Sequence, residues 1–176
     1  MTYAEYLLLR TFSAVESQYK SAAWQRDIKT GYGDARVSRP PWKPTKDERI
    51  GDDGARHRLL RDKLASGDYR VLLLRYSDNP TEIQKSWQHV RSTIRADTRL
   101  VKRLRQNPVL LRLLMLWHLR HGELRQKRNP LGLLSANSSE TTQRRWSIDC
   151  QSVAEDWIHP AEDRAVIIMQ EKGILR

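Results

Sequence analysis

A chain of 176 residues, 39% apolar and 30% charged, is sized for one domain or one domain with a small appendage, and its leucines and six tryptophans suffice for a helical core. Its 32 basic against 21 acidic residues leave a net charge of +11, a self-repulsion that a polyanion relieves, so nucleic acid is the first partner to consider and an anionic membrane surface the second. The lone Cys150 excludes an internal disulfide, and the longest apolar run, 109–119, is interrupted by Arg112 and too short to span a bilayer.

The first ten residues lack the basic start of a secretory signal, so a cytoplasmic protein with no membrane segment is expected. Residues 1–29 read as an N-terminal amphipathic helix, with Tyr6, Leu9, Phe12, Val15 and Tyr19 at helical spacing and no breaker before Gly31. Residues 30–54 read as a basic Pro/Gly-rich connector containing Gly31, Gly33, Pro40, Pro41, Pro44, Gly51 and Gly54. An exposed loop explains that composition; an arm in which Trp42 stacks on a base, flanked by Arg39 and Lys43, is the alternative.

Residues 55–128 carry the core of the reading. A helix runs from Arg56 through Leu59, Leu60 and Leu64 to Gly67, and another from Asp68 to Tyr76. Asn79 as N-cap, Pro80 at the first helical position and Glu82 three residues beyond the cap then open a new helix. The same device at Asn107-Pro108 opens a leucine-rich helix from Val109 to about Arg125. Residues 129–176 read as a C-terminal helical pair, with Trp146, Val153 and Trp157 on one face and a fresh start at His159-Pro160. Trp146, Trp157, Val166, Ile167 and Ile168 offer either a protein-protein surface or a closing layer of the same core. No strand pattern competes, so the fold class is all-α.

The positive charge is concentrated. Residues 81–130 hold 12 basic and three acidic residues, against 15 and 11 in residues 1–80 and five and seven in 131–176. Wound as one helix, residues 91–105 place Arg91, Arg95, Arg99, Lys102, Arg103 and Arg105 on one side and Val90, Ile94, Leu100, Val101 and Leu104 on the other. A solvated helix face ordinarily mixes both signs, whereas here Asp97 is the only acid.

The segment Thr81-Glu82-Ile83-Gln84-Lys85-Ser86-Trp87-Gln88-His89-Val90-Arg91-Ser92-Thr93-Ile94-Arg95 resembles the helix-turn-helix of bacterial and phage transcription regulators. The resemblance makes Ile83, Trp87, Val90 and Ile94 core, and likens Val71–Tyr76 to the helix that precedes the motif in sigma-factor-type domains. It covers about 35 residues and departs from the family at Gln84, where alanine is preferred, and at Gln88, where the turn usually has glycine. It implies a second helix in the major groove, with Arg91, Ser92 and Arg95 near base edges and Lys85, Arg99, Lys102, Arg103 and Arg105 on phosphates. A DNA-binding transcription regulator follows, with phage antitermination and late-gene regulators as the nearest setting. The alternative is a structural helical subunit lining a phosphate backbone, such as the small subunit of an RNA-guided complex or a packaging protein. DNA stands ahead of RNA, and a protein partner fits the C-terminal helices.

Catalytic chemistry is weakly represented, and neither an enzyme nor a cofactor is expected. Asp47, Glu48, Asp52 and Asp53 near His57 suit a solvated turn better than a metal-dependent phosphodiester site. His118 and His121 lack a convincing third metal ligand, no phosphate-binding glycine loop or nucleophile elbow occurs, and Cys150 has no base beside it in sequence.

Overall fold

Val71, Leu72, Leu73 and Leu74 are four consecutive buried side chains in one helix, which is possible only where neighbours cover the helix on every side. The computed structural model describes residues 2–13, 46–122 and 139–175, and among them the chain forms seven helices and no strand. These are α1 (Tyr3–Ser13), α2 (Lys46–Lys63), α3 (Ser66–Tyr76), α4 (Pro80–Ala96), α5 (Lys102–Gln106), α6 (Pro108–Leu119) and α7 (Glu140–Glu171). The all-α expectation therefore holds. The central helix is α3, packed chiefly between α4 and α7, with α1 and α2 beyond it and α6 lying along α7.

Two starts form as the local chemistry dictates. The Asn79 side chain accepts from the Thr81 amide at 2.9 Å, and that of Asn107 from the Leu110 amide at 3.1 Å, each followed by proline at the first helical position. Glu82 does not close a box on the cap residue. It accepts instead from the buried Ser77 hydroxyl at 2.9 Å, and that oxygen in turn accepts from the Asn79 amide at 3.1 Å.

Several expectations need correction. The 30–54 connector ends sooner, because Lys46 to Gly54 belong to α2; each interior glycine costs about 1 kcal/mol of helix propensity, and the helix is held to the rest of the chain by buried Leu60 and by the ion pairs of buried Asp53. Residues 14–45, including Trp42 and the later part of the proposed first helix, lie outside the described residues, as do 123–138. The C-terminal pair is one helix of 32 residues with Pro160 inside it. Val153, Ala154 and Ile158 before the proline and Ala161, Ala165 and Met169 after it are all buried, so the core holds the two halves in line despite the lost hydrogen bond. Trp146 belongs to that closing layer, and of the apolar residues 166–168 only Ile167 is exposed. The path of residues 91–105 also differs and belongs with the basic surface below.

The acidic group near His57 is also not a solvated turn. Asp53 is 1% exposed, accepting from Arg10 at 2.7 Å and from Arg56, and so ties α1 to α2, whereas Asp52 is exposed and the side chains of Asp47 and Glu48 lie outside the described residues. His57 packs edge-on to Phe12 at 5.4 Å and shares a 3.1 Å hydrogen bond with the Tyr69 hydroxyl. Burial holds its imidazole below the ordinary 6.5, with nearby Glu82 pulling upward and Arg61 downward. A base with a depressed folded pKa contributes stability that is present above pH 6.5 and lost as pH falls through the folded value, because the unfolded chain takes up the proton first. Melting temperature should therefore drop from about pH 7 to pH 5 by more in the native protein than in His57→Gln. Parallel pH profiles for the two would remove His57 as a source of acid sensitivity.

Candidate nucleic-acid interface

The basic surface begins on α4. Trp87, Val90 and Ile94 are buried against the core, with Ile83 partly so, which leaves Lys85, Arg91, Ser92 and Arg95 exposed. Gln88 lies inside this helix, and no residue other than glycine has positive φ among those described. The turn expected there is absent, and Pro80 to Ala96 form a single helix. Gln88 lacks the freedom that makes glycine suited to the left-handed turn of the family motif.

The continuous helix 91–105 is not formed either. Asp97 ends α4: its carboxylate accepts from the Arg99 amide at 2.9 Å, an Asx-type turn that competes with helical hydrogen bonding. The burial of Leu100 explains why the chain turns. Continued at 100° per residue, the helix would put Leu100 about 120° away from Ile94, on a flank; after the turn both Leu100 and Leu104 are fully buried. Lys102, Arg103 and Arg105 consequently sit on a separate short helix, α5, and not on an extension of the Arg91-Arg95 face.

The eight expected binding residues then divide by their partners. Lys85, Arg91, Arg95 and Lys102 are exposed, and none has a carboxylate within ion-pair distance among the described residues. Arg103 is exposed with its guanidinium 5.9 Å from the Trp146 ring centre, a cation-π contact that leaves its charge uncompensated. Ser92 is exposed and supplies a hydroxyl. Arg99 differs. Its guanidinium donates to the Asp97 carboxylate, at 2.7 Å and 3.0 Å, and to that of Asp156 on α7, which holds it firmly protonated and cancels its charge locally. Arg105 is partly buried with its Nε unpartnered, and its charge helps to lower the Asp97 pKa.

Sequence reasoning missed two contributors. Arg144 and Arg145 are exposed just before Trp146, the residue beneath Arg103, so α7 adds cations beside α5 even though the last 46 residues are net acidic. Arg112 of α6 faces Arg91 across a cleft that both line. The adjacent arginine pair next to a tryptophan was the available signal for the first; the second depends on how α4 and α6 pack.

Elsewhere several polar groups pair with one another, although the buried Arg56 Nε and Ser86 Oγ have no hydrogen-bond partner among the described residues. Glu162 accepts from Arg75 at 2.5 Å and from the buried Tyr76 hydroxyl, whose pKa is raised by burial and then by that carboxylate. His118 shares a 2.9 Å hydrogen bond with Ser147. Cys150 is fully buried, which pushes its thiol up to about 12. No three histidine, cysteine or acidic side chains converge as a metal site among the described residues, and no described helix is long and apolar enough to cross a membrane. No protein-family model, curated protein or solved structure matches the chain.

Proposed function

We propose that this protein binds nucleic acid, duplex DNA ahead of RNA, through phosphate contacts from Lys85, Arg91, Arg95, Lys102 and Arg103, without catalysing a reaction. The observation that carries the reading is the set of uncompensated cations: all five are exposed, and no described carboxylate neutralises any of them. Ion pairing with a polyanion is then available at little competing cost, and counterion release from DNA would drive association.

The turn at 97–101 favours a particular form of this function. A recognition helix presents bases to its first residues and phosphates to its later ones, which requires Arg91 through Arg105 to lie on one rod. With α4 and α5 separate, a structural subunit that lines a phosphate backbone within a nucleoprotein assembly fits better than a sequence-reading transcription regulator. Position on either helix should then matter little. Arg95→Ala and Lys102→Ala should weaken a preferred duplex and a random one by the same factor, each making the slope of log K against log salt shallower by about one. Titrations of each variant on both duplexes test this. A loss of about 1–3 kcal/mol confined to the preferred duplex for Arg95→Ala would restore the regulator reading. Native affinity that does not change with salt would sink both forms.

A further inference from the structure

We infer that the cleft between α4 and α6 receives an acidic amphipathic helix from a protein partner. The cleft is an open groove of roughly 500 Å³. Trp87, Val109, Leu113 and Leu116 supply apolar lining, and Arg91 and Arg112 supply its charge. Val109 is 68% exposed and Leu113 40%, so a cluster of aliphatic carbon faces water between two cations. No carboxylate lines the cleft, and neither arginine has an ion-pair partner among the described residues.

The shape and chemistry select the occupant. Lining residues recur every three or four positions from 84 to 91 on α4 and from 109 to 116 on α6, so each wall runs about two helical turns, roughly 11 Å. A helix with apolar side chains at i, i+3 or i+4 and i+7 matches that length, and flanking carboxylates would meet Arg91 and Arg112. Nucleic acid is a poorer fit, because two cations leave the aliphatic lining uncovered and Trp87, only 6% exposed, offers little ring for a base to stack on. The chain's own remaining segments are also poorly matched. Residues 14–45 hold six basic and three acidic residues, and 123–138 hold three and one, so both are net positive. The cleft shares Arg91 with the proposed phosphate contacts, so an acidic helix seated there would compete with DNA for that cation, whereas the aliphatic lining is its own.

The test is fluorescence anisotropy of the full chain with a short labelled helix-forming peptide carrying leucine at i, i+3 and i+7 and glutamate on both flanks. Its control is the same peptide with lysine for glutamate. The acidic peptide should bind at least about tenfold more tightly than the lysine peptide, and Arg112→Glu should narrow or reverse that preference. The double variant Val109→Ser, Leu113→Ser changes exposed positions only, so it should keep the fold; it should weaken the acidic peptide about tenfold and leave duplex DNA affinity unchanged. Equal binding of both peptides, or of neither, would overturn the proposal. So would a loss of DNA affinity in the serine variant equal to its loss of peptide affinity, which would make the cleft part of a nucleic-acid surface. Sedimentation of the protein alone supplies the last arm. Self-association abolished by the serine variant would identify the occupant as a second copy and overturn the acidic-partner assignment.

Discussion

Asp53→Asn should destabilise the protein by about 3 kcal/mol, a large share of the 5–15 kcal/mol that holds a typical domain folded. The carboxylate is 1% exposed and lies between the Arg10 and Arg56 guanidinium groups. Removing its charge leaves two cations facing each other in a site that water barely reaches. Arg56 is the more confined, with 13% side-chain exposure against 28% for Arg10, so Arg10 can swing outward and soften the penalty. That places the loss at the low end of the range for breaking a buried pair. For a chain of this size it corresponds to a drop of roughly 6–12 °C in melting temperature. Because Asp53 links α1 to α2, part of the change should appear as early loss of α1. Arg99→Ala is the natural comparison, since its ion pairs are solvent-exposed and such pairs are worth about 0–1 kcal/mol. Urea midpoints that fall equally in the two variants would mean that Asp53 is not the buried tie described above.

The second large effect is on binding. The triple variant Arg95→Ala, Lys102→Ala, Arg103→Ala removes three exposed cations that have no described carboxylate partner, so the slope of log K against log salt on duplex DNA should become shallower by about three. At low salt the loss of affinity should be largest and should shrink as salt rises. Arg99→Ala should change the slope little, because Asp97 and Asp156 already occupy its guanidinium. A slope equally sensitive to Arg99 and to the other three would show that local compensation does not govern this surface. Folding of the triple variant is checked by its melting temperature, and all three side chains are exposed.

What was legible in advance was local in origin. Asn79-Pro80 and Asn107-Pro108 are two-residue signals whose hydrogen bonds close within three positions, and they start helices where the residues say. Ile94 and Leu104 were recognisable as core because an apolar side chain among arginines has few other uses. The break at Asp97 was hidden: neither glycine nor proline marks it, and its cause is the need to bring Leu100 into a core built by other helices. Pro160 misled in the opposite direction, since packing along both halves of α7 outweighed a strong local breaker. For the candidate surface, exposure of Arg91, Arg95, Lys102 and Arg103 could be read from charge alone. The neutralisation of Arg99 could not, because Asp156 lies 57 residues away in sequence.

Pro160 has a consequence for how α7 is held. Lacking an amide proton, it leaves the Asp156 carbonyl without the usual helical partner, so the ladder of α7, about 48 Å long, is missing a rung near its middle. Side-chain packing rather than the backbone ladder therefore carries the helix across this position. The Trp146–Val153 half is held by buried side chains of its own and the Ala161–Met169 half by another set. Asp156 stands at the joint between them, and its carboxylate is the α7 anchor of Arg99 in the 97–101 turn. The 97–101 turn is thus linked, through an exposed ion pair, to the residue of α7 whose carbonyl the proline leaves without a helical partner.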